Sequence, residues 1–288
     1  MGGVRRNENF RLNCDGWAVC RKHAPQTVQA FMEAVREAGN FAPVLRNAPV
    51  TGAVENIGFM DETSFYYQMI SAAYQAGLRL CIGDGTPDIK LQSGIAAVHA
   101  LREQTNRTAG DAQALPMAAV FIKPYDNERI LQRAAWASPV AEVIGVDIDA
   151  YNIATMRNVV RLERKTAAQL KALKAQVGVP FAIKGVFCTE DLALVREVKP
   201  DIAYISNHGG RVETRIGSTA EFLLQYGAEL RANCGELWVD GGIRSACDVA
   251  TALSLGATQV LVGRPLITAL CKGGEAAVAD VAAALRTL

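Results

Sequence analysis

The chain is predicted to fold as one (β/α)₈ barrel. Two patterns point there: short apolar segments alternate with longer helical ones without a break from about residue 48, and polar or glycine residues sit where those apolar segments end. A third is length, since 288 residues suit one such barrel with a short addition. The strand candidates in order are Pro49–Val54, Leu80–Gly83, Met117–Lys123, Glu142–Asp147, Phe181–Lys184, Ile202–Ser206, Leu237–Asp240 and Gln259–Val262. Runs such as Val143-Ile144-Gly145-Val146 and Val260-Leu261-Val262 are apolar throughout, as in parallel strands covered on both faces. Between them, Ala167–Val177, Glu190–Val198 and Asp248–Leu255 carry helical spacing. Thr189 and Ser245 stand as N-caps with acids in the first turn, and the tail Leu266–Leu288 completes the eighth unit. An open doubly wound sheet would need fewer strands or a Gly-x-Gly-x-x-Gly turn after the first, and neither is present.

Residues 1–47 are assigned to a helix-and-loop cap, helical over Thr27–Ala38 and irregular before it, closing the bottom of the barrel; 48–288 form the barrel, in a single domain overall. The net charge of +1 offers no global field for nucleic acid or an anionic membrane. Seven cysteines without a C-x-x-C pair point to reduced thiols, so the expected compartment is the cytoplasm. No apolar run reaches membrane-spanning length, and the N-terminus lacks the apolar core of a signal peptide.

Catalytic groups of a (β/α)₈ barrel sit just after strand C-termini. Lys123, Asp147, Lys184, Ser206–Arg211, Asp240–Arg244 and Gly263-Arg264 all fall there. The loops Asp240-Gly241-Gly242-Ile243-Arg244 and Gly263-Arg264-Pro265 follow strands seven and eight, the usual phosphate site of this fold. Glycines let backbone N–H groups approach phosphate oxygens, and arginines add charge-assisted bonds. In Ser206-Asn207-His208-Gly209-Gly210-Arg211, the imidazole of His208 suits proton abstraction near neutral pH. Arg211 suits a carboxylate clamp. Lys184 is a candidate for stabilising developing negative charge, and Asp147 for orienting His208, with Asp149 as its competitor. His23 and His99 are expected at the surface, and no metal site is expected from three scattered histidines.

These motifs resemble those of the FMN-dependent 2-hydroxy-acid oxidase and dehydrogenase family, which includes glycolate oxidase, lactate oxidase and flavocytochrome b2. The likeness is dense over 180–266 and patchy over 48–150, where Ala48-Pro49-Val50-Thr51-Gly52, Lys123-Pro124-Tyr125 and Val146-Asp147 match. It implies FMN as cofactor, with Pro49, Val50, Thr51 and Gly52 against the flavin ring, Lys123 near it, Lys184 at its N1/O2 end and Ser206 bonded to it. By the same resemblance Asp240, Gly241, Gly242, Arg244, Gly263 and Arg264 hold ribityl and phosphate. His208 is then the base, Arg211 the carboxylate clamp, Asp147 the partner of His208, and Tyr125 a substrate hydrogen-bond donor. The implied reaction is oxidation of a small 2-hydroxy acid to the 2-oxo acid, and the implied assembly a homo-oligomer, tetramer or larger.

The chain also departs from the family. No N-terminal tyrosine equivalent is evident before residue 47, and the second substrate arginine, seven residues after the strand-four aspartate, is replaced by Ala154 with Arg157 nearby. The strand-three glutamine is Lys123, and the loop after strand four is short. Two other functions stay open: different flavin chemistry on the same barrel (an NAD(P)H-linked reductase or a redox-neutral isomerase), and a non-catalytic FMN-binding protein.

Overall fold

A computed structural model describes residues 7–39, 41–109, 114–152, 160–212 and 215–288. Eight parallel strands form one sheet: β1 Leu45–Asn47, β2 Leu80–Gly83, β3 Ala118–Ile122, β4 Ala141–Asp147, β5 Phe181–Val186, β6 Ile202–Ile205, β7 Glu236–Val239 and β8 Gln259–Val262. Neighbours run β1-β8-β7-β6-β5-β4-β3-β2, and the ring closes where Arg79 N–H donates to Leu45 O (2.9 Å) and Asn47 N–H to Arg79 O (3.3 Å). The strands β1 to β8 are followed in turn by α3 Glu62–Gln75, α4 Ile89–Ala109, α5 Asn127–Ala137, α6 Ala167–Lys174, α7 Thr189–Val198, α8 Thr219–Arg231, α9 Ala246–Ser254 and α10 Arg264–Ala284, and the first strand is preceded by α1 Glu8–His23 and α2 Pro25–Ala38. This is the predicted (β/α)₈ architecture.

The lumen is filled rather than open. Phe121, Tyr204 and Trp238 meet edge-on or tilted at centroid distances of 5.3–6.2 Å, and Arg46 closes the far end, its guanidinium 4.3 Å from the Trp238 ring. Arg46 is charge-paired with Glu142 (2.6 Å), so a cation buried in the barrel is compensated.

Three expectations are corrected. The first strand is Leu45–Asn47, not Pro49–Val54. Gly52 adopts a left-handed conformation (φ 74°), and the Glu62 carboxylate accepts from Gly52 N–H (2.8 Å) and Ala53 N–H (2.7 Å). That anchor turns 53–57 into a short helical turn and ends the strand early, so the first strand falls inside the segment assigned to the cap. The N-cap of α7 is Cys188 rather than Thr189, with Asp191 accepting from Phe187 N–H and Cys188 N–H at 2.9 Å each; Ser245 caps α9 as expected.

The third correction concerns the N-terminal segment. It is helical from Glu8, and α1 lies against α8 and α9 at the mouth of the barrel, not at its bottom. Trp17 Nε1–H donates to Gly241 O (2.8 Å), and Asn7 Nδ2 donates to Gly210 O (2.6 Å). Asn13 and Asn207 exchange side-chain amide bonds at 2.8 and 3.2 Å. A Cβ on Gly242 would stand 1.6 Å from Asn13 O, so glycine there is what lets the helix approach (φ 77°).

Candidate active site

At the C-terminal mouth lies a cavity of about 450 Å³, within the usual range for small-molecule sites. Three groups of residues wall it: the β1 loop (Pro49, Val50, Thr51, Gly52, Glu55, Asn56, Ile57), the strand-end groups Asp84, Lys123, Lys184, His208 and Arg211, and the glycine loops carrying Asp240, Gly241, Gly242, Arg244, Gly263 and Arg264. Sequence reasoning placed most of these at one mouth, and the fold brings them to one cavity. Asp147, Ser206 and Tyr125 do not line it.

On one side, the N-terminus of α10 begins at Arg264 immediately after Gly263, presenting the positive end of a helix dipole. Arg264 donates to Gly209 O (2.9 Å) and covers the Phe10 ring (4.5 Å). Arg244 Nη1 donates to Ile243 O (2.7 Å), and its Nη2 lies 3.6 Å from Cys14 Sγ. Burial, then the neighbouring charges of Arg244 and Arg211, pull the Arg264 guanidinium below its ordinary value. Three cations held close enough to oppose one another make this side of the cavity electropositive.

The floor is Asp240, whose Oδ2 accepts from Tyr204 OH (2.8 Å) and Ser206 Oγ (3.0 Å). Its Oδ1 is buried without a partner, an orphan acceptor beside the cavity. Burial pushes the Asp240 carboxyl up, against the opposing pull of Lys184 and its two hydroxyl donors. Ser206 also accepts from His208 N–H (3.2 Å), so it sets the histidine loop rather than the cavity wall.

The opposite side is a cluster of charged side chains at the ends of four adjacent strands, β3 to β6. Lys184 of β5 stands 2.8 Å from Asp147 Oδ1, and Lys123 Nζ donates to Asp147 Oδ2 at 2.6 Å. Burial alone would raise the Asp147 carboxyl, but Lys123, Lys184 and His208 together hold it well below the usual carboxylate range. Burial likewise disfavours the Lys184 ammonium, but Asp147, Asp149 and Asp240 outweigh it and raise that group.

His208 sits in the left-handed region (φ 51°), unusual for a residue with a side chain, and is 10% exposed. Its Nδ1 lies 2.8 Å from Asp149 Oδ2; its Nε2 lies 3.2 Å from Lys184 Nζ and 3.3 Å from Asp147 Oδ2. Both aspartates weighed as its partner therefore reach it, on opposite nitrogens. Asp147, Asp149 and His208 stand close enough to hold a metal, but two ammonium groups already supply the positive charge there.

Tyr125 is not placed where the resemblance implies. It is 1% exposed, with the guanidiniums of Arg129 (4.2 Å) and Arg133 (4.7 Å) over its ring and its hydroxyl 3.3 Å from Thr86 Oγ1. Those arginines are drawn there by Asp84 and Asp88, and they take the ring with them. His23 and His99 are exposed, as expected. Ala154 and Arg157 lie outside the described residues.

Sequence reasoning missed Asp84, which follows β2. Its Oδ1 accepts from Arg133 (3.1 Å) and Gly85 N–H (2.8 Å), and its Oδ2 accepts from Lys123 N–H (3.1 Å). Burial pushes its carboxyl up to about 6 despite Arg133. The Asp84-Gly85 pair at a strand end was the available signal. Lys90, paired with Glu55 at 2.9 Å, was also missed; it sits in a helix, where the strand-end rule does not look.

A barrel with a glycine-and-arginine anion cradle beside a lysine–histidine–carboxylate cluster defines a cofactor-dependent enzyme type of site. The family model for FMN-dependent dehydrogenases matches residues 96–287. The chain belongs to the FMN-dependent dehydrogenase family. It is 39% identical over 112 residues to a 2-hydroxyacid oxidase of Dictyostelium discoideum, covering 39% of this chain and 29% of that protein. It is 37% identical over 110 residues to a 4-hydroxymandelate oxidase of Amycolatopsis orientalis, covering 38% and 30%. The aligned stretch thus spans less than a third of those relatives' length. Among solved structures, a mandelate oxidase variant with a monooxide FMN adduct superposes with a TM-score of 0.62 at 25% identity, over 84% of this chain and 71% of the other. Mandelate oxidase with benzoyl-formic acid gives 0.61 at 25% identity, over 84% and 72%.

FMN, the family's cofactor, fits the residues present. The cradle between Arg244, Arg264 and the α10 N-terminus suits a phosphate, the orphan Asp240 oxygen suits a ribityl hydroxyl, and the buried Lys184 ammonium suits an electron-rich ring edge.

Proposed function

We propose that this chain is an oxidoreductase that binds FMN and oxidises a small 2-hydroxy acid to the 2-oxo acid. One observation carries the proposal: His208, held between a carboxylate and an ammonium, lines the same cavity as Arg211 and the anion cradle. FMN, when bound, supplies a two-electron acceptor. The chain's own residues do the rest. Arg244 and Arg264 hold the phosphate, and Pro49, Val50, Thr51 and Gly52 wall the ring. Arg211, whose burial lowers its guanidinium from the ordinary value, receives the substrate carboxylate in a poorly hydrated setting where a charge-assisted bond is strong. His208 accepts the proton that leaves the substrate. Lys184 places positive charge where electrons accumulate.

Lys123 takes no substrate-binding part in this scheme, because Asp147 already engages it. A homo-oligomer in the cytoplasm belongs to the same proposal, supported by family resemblance and by seven thiols none of which is paired in a disulfide. Among the described residues no helix is long and apolar enough to cross a membrane. The test is anaerobic titration of the purified protein with a panel of 2-hydroxy acids. Bleaching of the flavin with one equivalent of 2-oxo acid is expected; a flavin that no 2-hydroxy acid reduces, but that NADPH does, refutes the proposal in favour of a reductase.

A further inference from the structure

Two carboxylates compete for one imidazole, and the donor rules separate them. A carboxylate accepts only, so the 2.8 Å contact between Asp149 Oδ2 and His208 Nδ1 requires a proton on Nδ1. An ammonium donates only, so the 3.2 Å contact between Lys184 Nζ and Nε2 requires a lone pair on Nε2. Both contacts select the same neutral tautomer. In that tautomer Asp147 Oδ2, 3.3 Å from Nε2, faces a lone pair and makes no bond. Asp147 is occupied elsewhere, by Lys123 at 2.6 Å and Lys184 at 2.8 Å.

The backbone supports this arrangement. Gly185, on the strand beside Asp149, has φ 96°, and a Cβ there would stand 2.2 Å from Asp149 Oδ1. Any larger residue would push Asp149 away from His208. The other charged groups around His208 are Lys184 from β5, Asp147 from β4 with its partner Lys123, and Asp240 after β7.

We infer that Asp149 is the positioning residue of His208, fixing its Nδ1–H tautomer and aiming the Nε2 lone pair, while Asp147 ties Lys123 to Lys184 and becomes a hydrogen-bond partner of His208 only after Nε2 has taken a proton. In that step the substrate's O–H or C–H bond breaks with its electron pair left on the substrate oxygen or carbon, the proton bonds to the Nε2 lone pair, and Lys184 gives up Nε2 while keeping Asp147 Oδ1. The new N–H then meets Asp147 Oδ2, so the proton is held on the side away from Asp149. This division of labour rests on His208 being the base of the proposed reaction, but its test does not depend on turnover.

The test is ¹⁵N NMR of the imidazole rings in ¹⁵N-histidine-labelled protein as purified, above the pH at which the rings lose their second proton. The chain has three histidines, and His208 is assigned by the signals missing in His208→Gln. The wild type is expected to show a protonated Nδ1 and a lone pair on Nε2, a result that needs neither aspartate variant. Asp149→Ala should move the proton to Nε2, where Asp147 accepts it, and Asp147→Asn should leave it on Nδ1. A wild-type Nε2–H form overturns the inference, as does a pattern that survives Asp149→Ala or is lost in Asp147→Asn. The expected tautomer in a protein that oxidises no 2-hydroxy acid would reject the proposed function alone.

Discussion

The two halves of the cavity are built by different means. On the cradle side, backbone geometry does most of the work: glycine loops after β7 and β8, the N-terminus of α10, and two arginines laid along carbonyls and an aromatic ring. On the base side, side chains at the ends of β3, β4, β5 and β6 hold one another by charge. The first half suits a group that stays bound through many turnovers. The second must exchange a proton and so keeps its groups in a network that can rearrange. Substitutions in the two halves should therefore fail differently, one in retention of cofactor and the other in stability and proton transfer.

The largest stability effect is expected at the anchor of the base side. Asp147→Asn leaves Lys123 and Lys184 buried without their common counter-ion, which costs about 3–5 kcal/mol, read by denaturant unfolding at neutral pH. Its carboxyl lies below the ordinary range in the folded protein, so its contribution is present above the unfolded value of about 3.9 and is lost as pH falls below it. Asp147→Asn should flatten that acid-side loss; an unchanged profile would mean that the lysines do not depend on Asp147.

Asp84 should behave in the opposite sense. Its folded value of about 6 is above the unfolded one, so the stability it contributes is present below about pH 4 and is lost as pH rises through about 6. Asp84→Asn should remove that slope between the two values. Retention of the slope would place its origin in another group.

On the cradle side, Arg264→Ala removes one charge-assisted partner of the phosphate. The expected loss is about 1.5–3 kcal/mol, or roughly 10- to 150-fold weaker FMN binding, in a protein that still folds. An unchanged dissociation constant would break the assignment of this loop. The smallest effect is expected at Tyr125, where the family resemblance implies a substrate donor. Tyr125 does not line the cavity and its hydroxyl makes one long bond to Thr86, which does, so Tyr125→Phe should cost under about 1.5 kcal/mol and leave KM within about tenfold. A larger rise in KM would show that Tyr125 turns toward the substrate in the bound state.

The same contrast explains what was legible in the sequence. The barrel and the cradle were readable because apolar runs mark buried parallel strands and because glycine next to arginine at a strand end has a local physical reason. The base cluster was readable as a list of residues but not as a set of pairings. Nothing local tells that Lys123 turns to Asp147, or that Asp149 reaches past Gly185 to the histidine. Helix α1 escaped for another reason. Its buried face is Asn9, Asn13, Gly16, Trp17 and Cys20, spaced as a helix should be but with two asparagines and a glycine among the five, so apolar periodicity was weak. Those asparagines are buried because they bond the loops after β6 and across to the start of α8, at the mouth, which is why the segment was expected at the wrong end. The first strand slipped by four residues because the Glu62 carboxylate, distant in sequence, anchors the turn at Gly52.

The two halves meet at His208, and the most direct test is the rate of anaerobic flavin reduction by the best 2-hydroxy acid in wild type and in His208→Gln, at equal FMN content. If His208 is the base on an otherwise intact cradle, FMN is retained and the rate falls by about 10²- to 10⁴-fold. Equal rates in the two proteins would contradict that role.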